Sequence, residues 1–164
     1  MTYQELVKSN WGFIATESQE KLKNSRVLLA GCGLGSNIAL LAVRTGFTKF
    51  VLADGDSIEL SNFNRQAFRV EHLGRNKAEV VGEMIKEVNP RAEVTVFPRF
   101  IETEEQVCCL VTKSDLVVNM IDPGPLMYHL NKLACSHSIP VLFPLNIGFG
   151  GTVLVFSSES ASLE

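Results

Sequence analysis

The chain has 164 residues, 46% apolar and 20% charged, with a formal net charge of −3 and no low-complexity tract or repeat. That length suits one domain, large enough to bury about two thirds of the surface its unfolded form exposes. Its fifteen Lys and Arg are scattered rather than gathered into the basic stripe that nucleic-acid binding requires, and no apolar run approaches the roughly twenty residues of a membrane span.

Residues 17–24 read as a short polar helix, and Arg26–Ala30 is a continuous apolar run, the pattern of a strand covered on both faces of a parallel sheet. A glycine turn, Gly31-Cys32-Gly33-Leu34-Gly35-Ser36, follows at once and opens a helix over 34–44. A second strand spans 50–53 and ends at Asp54. The polar segment 55–75 is long for a connection in a compact domain, and such connections are usually functional. Lys77–Val88 has helical periodicity and stops at Asn89-Pro90, where proline cannot continue it. The alternation then repeats: strand Glu93–Phe97, helix 104–112, strand 115–120, helix 126–136, and strands 140–143 and 152–156. This order predicts an α/β fold, a Rossmann-like doubly wound, mainly parallel sheet with helices on both faces. Ligands in such sheets bind beyond the carboxyl ends of the strands, so Gly31, Asp54 and Asp122 are expected to line one crevice.

Gly31, Gly33 and Gly35 let the backbone approach a phosphate at a helix N-terminus. The spacing is neither the dinucleotide pattern nor a P-loop, because the third glycine comes one residue early and no Gly-Lys-Ser/Thr follows. Asp54, 23 residues after Gly31, stands where a carboxylate accepts ribose hydroxyls, in NAD and ATP binders alike. Asp56 is equally suited to capping a turn. Ser61-Asn62-Phe63-Asn64-Arg65-Gln66 adds hydrogen-bonding capacity beside Asp54. Arg65 offers a fork that matches phosphate oxygens, and Lys77 adds a compact charge at a helix start. Cys32, Cys108, Cys109 and Cys135 form no Cys-x-x-Cys pair and lie at no ligand spacing with His72, His129 or His137, so no zinc site is expected. Four thiols without framework spacing suit a reducing, cytoplasmic setting.

Over most of its length the chain resembles the ThiF/MoeB/HesA superfamily, the adenylating domain shared with ubiquitin-activating enzymes. The resemblance rests on the lead-in of residues 19–27, the glycine turn, Asp54-x-Asp56, Ser61-Asn62-x-Asn64-Arg65-Gln66, Gly74-x-x-Lys77-Ala78 and Asn89-Pro90, in that order. It implies ATP-dependent adenylation of a carboxylate with release of pyrophosphate, the acceptor often being the C-terminal glycine of a ubiquitin-like or sulfur-carrier protein. By matched position it implies that Asp54 holds the ribose, that Asn62 and Arg65 contact the phosphates, that Lys77 neutralises them, and that Asp122 helps hold Mg2+. It also implies a homodimer.

The departures are specific. Ala30 and Cys32 replace two usual glycines of the turn, no arginine occurs in residues 8–12, and Pro123-Gly124-Pro125 follows Asp122. None of the four cysteines matches a thioester nucleophile. The expectation is therefore a single nucleotide-binding domain over residues 1–164 that lacks the C-terminal part docking the acceptor. Two alternatives remain open: an NAD- or FAD-binding module, and a non-catalytic subunit of a heterodimeric activating enzyme.

Overall fold

The computed structural model describes residues 2–147 and 150–158. Its six-stranded sheet has the order β3-β2-β1-β4-β5-β6, formed by β1 (Arg26–Ala30), β2 (Lys49–Ala53), β3 (Glu93–Phe97), β4 (Leu116–Asn119), β5 (Val141–Ile147) and β6 (Gly150–Phe156). The first five strands run parallel and β6 returns antiparallel to β5. Pro144 falls beyond Leu142, the last β5 residue paired with β4, so its missing N–H removes no bond from that ladder.

Alternation along the strands divides the core in two. Val27, Leu29, Phe50, Leu52 and Val118 face α3 (Gly35–Thr45) and α4 (Lys77–Val88), while Leu28, Ala30, Val51, Val117 and Val141 face α5 (Glu104–Val111) and α6 (Pro125–Ser136). Successive strand side chains point to opposite faces, so a run that is apolar at every position is what a sheet covered twice requires.

The helix boundaries have local causes. Asn76 caps α4 by accepting from the Glu79 N–H at 3.2 Å. Thr103 and Gln106 form a capping box on α5. Pro125 opens α6, a position where a missing N–H costs nothing. Two short helices precede the sheet, α1 (Tyr3–Val7) and α2 (Thr16–Asn24). The Tyr3 hydroxyl donates to the carbonyls of Gly46 and Gln19, and Gln19 Nε2 donates to Thr45 O at 2.9 Å. The N-terminal segment is thus fastened to the C-terminal end of α3.

Segment 55–75, read from the sequence as a long polar connection, contains two single 3-10 turns (Leu60–Asn62 and Val70–His72), and a bridge joins its Ser57 to Asn76. Buried Ile58 and Phe68 pin it to the core.

Candidate functional site

The strand order reverses between β1 and β4, and the ends of β1, β2 and β4 open there onto one cleft of about 320 Å3. Gly31, Asp54, Asp56 and Asp122 line it together with Phe100 and Leu126. The three positions expected to meet, Gly31, Asp54 and Asp122, do share a crevice.

Gly31 follows β1 with φ +94°, a backbone conformation that L side chains rarely adopt. A Cβ there would also stand 2.6 Å from the Met120 carbonyl oxygen. The turn therefore admits only glycine at this position. Ser36, buried in the first turn of α3, donates to Gly33 O at 2.6 Å and accepts from the Ala67 N–H at 3.0 Å. Asn37 Nδ2 donates to Arg65 O at 2.9 Å. These bonds tie the covering segment to the glycine turn.

Asp54 is held by the backbone. Its Oδ2 accepts from the Cys32 N–H at 2.6 Å and its Oδ1 from the Asp56 N–H at 2.8 Å. Burial raises its pKa above the ordinary carboxylate value, opposed by the Asp56 and Cys32 N–H groups and by the charge of Lys77. Each oxygen keeps a second lone pair, so the carboxylate is oriented without being saturated. Burial, reinforced by the Asp54 charge, pushes the Cys32 thiol well above its usual range, so this thiol stays protonated and unreactive at neutral pH.

Lys77 is the first residue of α4, and its side chain is only 9% exposed. Its ammonium lies 2.7 Å from Asp56 Oδ2 and its backbone N–H donates to Asp56 O at 2.9 Å. Asn76 Nδ2 donates to Asp54 O at 3.0 Å, so α4 starts in register with both acids.

Asn62 and Arg65 are not among the residues that line the cleft. Asn62 is buried, with Oδ1 accepting from the Glu59 N–H at 3.0 Å and Nδ2 at a long 3.5 Å from Ser61 Oγ. Arg65 is exposed and donates through Nη1 to Ser61 O and Asn64 Oδ1, both at 2.9 Å. Gln66 packs over Gly33, its Oε1 buried without a hydrogen-bond partner among the described residues.

On the opposite lip, Asp122 is exposed and takes part in no hydrogen bond or ion pair among the described residues. What holds its loop is Asn119, fully buried at the end of β4. Asn119 Oδ1 accepts from the Ile121 N–H at 3.2 Å, while its Nδ2 donates to Asn131 Oδ1 at 2.7 Å and to Met127 O at 3.2 Å. Sequence reasoning passed over Asn119; a polar residue inside the apolar run 116–120 was the available signal. It also passed over Phe100, for which a loop aromatic after β3 offers no distinctive pattern.

A doubly wound α/β domain with a glycine turn after its first strand and an acid after its second, at the strand-order reversal, is an architecture found in nucleotide-binding proteins. The chain belongs to the ThiF family, whose model matches residues 4–164. It is 32% identical over 146 residues to the sulfur carrier protein ThiS adenylyltransferase of Escherichia coli strain K12, an overlap of 88% of this chain and 58% of that one. It is 30% identical over 138 residues to SUMO-activating enzyme subunit 2 of Dictyostelium discoideum, covering 83% of this chain and 21% of the relative. Among solved structures, E. coli tRNA N6-threonylcarbamoyladenosine dehydratase superposes with a TM-score of 0.80 at 25% identity, over 85% of this chain and 59% of that one. E. coli MccB, crystallised with AMPCPP and MccA, gives a TM-score of 0.77 at 26% identity, over 85% and 42%. The chain thus spans between about a fifth and three fifths of the length of these proteins.

Proposed function

We propose that this chain is the adenylating domain of an enzyme that activates a carboxylate with ATP, the acceptor being the C-terminal glycine of a ubiquitin-like or sulfur-carrier protein. A carboxylate oxygen attacks the α-phosphorus, the bond from that phosphorus to the bridging oxygen breaks, and pyrophosphate leaves. The observation that carries this reading is the meeting of Gly31, Asp54 and Asp122 in one cleft, with the Lys77 ammonium reaching its edge through Asp56.

In this reading the N–H groups of Gly33 and Gly35 face phosphate at the positive end of α3, Gly31, whose own N–H donates to Ala53 O at 2.8 Å, lets the backbone turn close to it, and Asp54 accepts the ribose hydroxyls. Lys77 exchanges its Asp56 partner for phosphate oxygens. Arg65 turns from Ser61 O and Asn64 toward the same oxygens, and Asn62 contributes its loosely bonded Nδ2. Among the described residues no group of three or more His, Cys, Asp or Glu is arranged to hold a metal. Mg2+ nevertheless fits this donor set, because it is commonly held by one or two carboxylates together with substrate phosphates, and Asp122 is a carboxylate without other partners among the described residues. Mg2+ would neutralise charge developing on the pyrophosphate.

The four cysteines are free and suit a reducing, cytoplasmic setting. Assembly as a homodimer completes the proposal, and gel filtration at micromolar concentration tests it. A second reading, a non-catalytic subunit of a heterodimeric activating enzyme, draws on one observation: residues 1–25 contain no arginine. Acceptor-dependent exchange between pyrophosphate and ATP separates the two. Exchange that collapses by about a hundredfold or more in Lys77→Ala and Arg65→Ala supports the enzyme, while its absence in the wild-type chain with a matched acceptor supports the subunit. A larger rise in melting temperature with ATP and magnesium than with NAD separates both from a dinucleotide-binding module.

A further inference from the structure

Phe100 lines the cleft while 58% of it stays exposed, and it reaches that place only because residue 55 has no side chain. A Cβ on Gly55 would stand 2.5 Å from Phe100 Cγ and 2.5 Å from its backbone nitrogen, closer than any real side chain allows. Gly55 has no left-handed backbone, so its glycine answers to space rather than to conformation. The same loop is steadied from below: the Asp54 N–H donates to Phe97 O at 3.3 Å, and the Arg99 guanidinium lies 4.9 Å over the Phe97 ring. An exposed phenylalanine is ordinary by itself. One seated against the backbone beside a ribose-type acid, at a position that a methyl group on its neighbour would deny it, is not.

Resting on the nucleotide reading above, we infer that Phe100 is the platform on which the base stacks, and that Gly55 is the residue that makes room for it. The order of groups along a nucleotide fixes the direction. With phosphates at the turn of 31–35 and the sugar at Asp54, the base extends past Asp54 to the next wall of the cleft, which Gly55 and Phe100 form. Ile101, Ile121 and Leu126 make the neighbouring lining apolar, as a base requires. An aromatic ring recognises the π-face of any base, so the platform supplies affinity for the nucleoside without acting on the phosphates. Phe100 is in this sense a positioning residue.

The test compares calorimetric binding of Mg-ATP with binding of inorganic tripolyphosphate, which carries the charges and no base. In Phe100→Ala, ATP affinity is expected to fall about tenfold with tripolyphosphate unchanged, the scale of one base–aromatic stack. Phe100→Tyr should retain ATP affinity, and Gly55→Ala, by displacing the ring, should reproduce the selective loss. Unchanged ATP affinity in Phe100→Ala overturns the inference, as does an equal loss for ATP and tripolyphosphate or a loss in Phe100→Tyr as large as in the alanine variant. If Gly55→Ala binds ATP as the wild type does, the role given to Gly55 fails. Failure of the wild-type chain to bind ATP at all strikes the nucleotide reading itself, and this inference with it.

Discussion

The two lips of the cleft are built on opposite plans. At the Asp54 lip the acid is half-buried and held by two backbone N–H groups, the next acid is paired with a buried lysine, and Ser36 and Asn37 bind the covering segment to α3. At the Asp122 lip the acid is exposed and unbonded among the described residues, and the restraint lies three residues earlier, at Asn119. One lip is part of the fold, and the other is carried by it. A group oriented in advance suits a part of the ligand that does not change, such as a ribose. A free carboxylate suits charge that moves during reaction or a metal that comes and goes with the ligand.

The contrast is open to mutation. The largest effect is expected from Asp122→Ala, which should lower ATP–pyrophosphate exchange by about a hundredfold or more while the melting temperature moves by no more than about 1 °C. A large thermal shift would show that Asp122 is tied into the fold after all. Asp54→Ala removes the acceptor of two N–H groups and should cost about 1–2 kcal/mol of stability, net of the relief from burying a charge. In a chain of this size that is a fall of roughly 3–8 °C in melting temperature, accompanied by loss of exchange. An Asp54→Ala protein as stable as the wild type would erase the distinction between the lips. Asn119→Ala should pair a stability cost like that of Asp54→Ala with the mildest effect on exchange of the three: it frees the Ile121 N–H and takes from Asn131 Oδ1 its donor, costing about 1–2 kcal/mol by chemical denaturation, while exchange falls less than in Asp122→Ala.

The smallest effect is a pH dependence. Because burial raises the pKa of Asp54 in the folded state, the folded chain binds a proton more readily there than the unfolded chain does. This group's contribution to stability therefore declines as pH rises from the ordinary carboxylate value through the raised one. The difference in melting temperature between wild type and Asp54→Asn should shrink across that window. A difference that grows with pH would mean that the two N–H donors outweigh burial.

What was legible in the sequence follows the range of the forces involved. Arg26–Ala30, Lys77–Val88 and Glu93–Phe97 appear in the structure with the bounds read from the chain, because apolar runs, helical period and Asn89-Pro90 are local signals. The helix Tyr3–Val7 was not read, since five residues cannot hold a helix unaided and its fastening comes from Gln19 and Gly46. The 140–143 strand proves longer and β6 runs antiparallel to it, a direction that no residue pattern encodes. At the cleft, the positions of the acids after strands were legible from spacing alone. The pairing of Lys77 with Asp56, the amide bonds of Asn119 and the seating of Phe100 on Gly55 were not, because each joins residues that only tertiary packing brings together.

The register of β1 carries a consequence for the order in which the molecule assembles. The Arg26 N–H donates to the Asp115 carboxylate across 89 residues of chain, and Val27 pairs with Leu116 beside it. The β5–β6 hairpin, by contrast, closes over a handful of residues and can form early. Closing the long loop between β1 and β4 must be achieved before its contacts return anything, which makes that pairing slow. Gly31 and Asp122 follow those two strands, so the crevice comes into being only when segments 89 residues apart along the chain have met. Nucleotide binding during refolding should then report the completed molecule rather than a partly folded one.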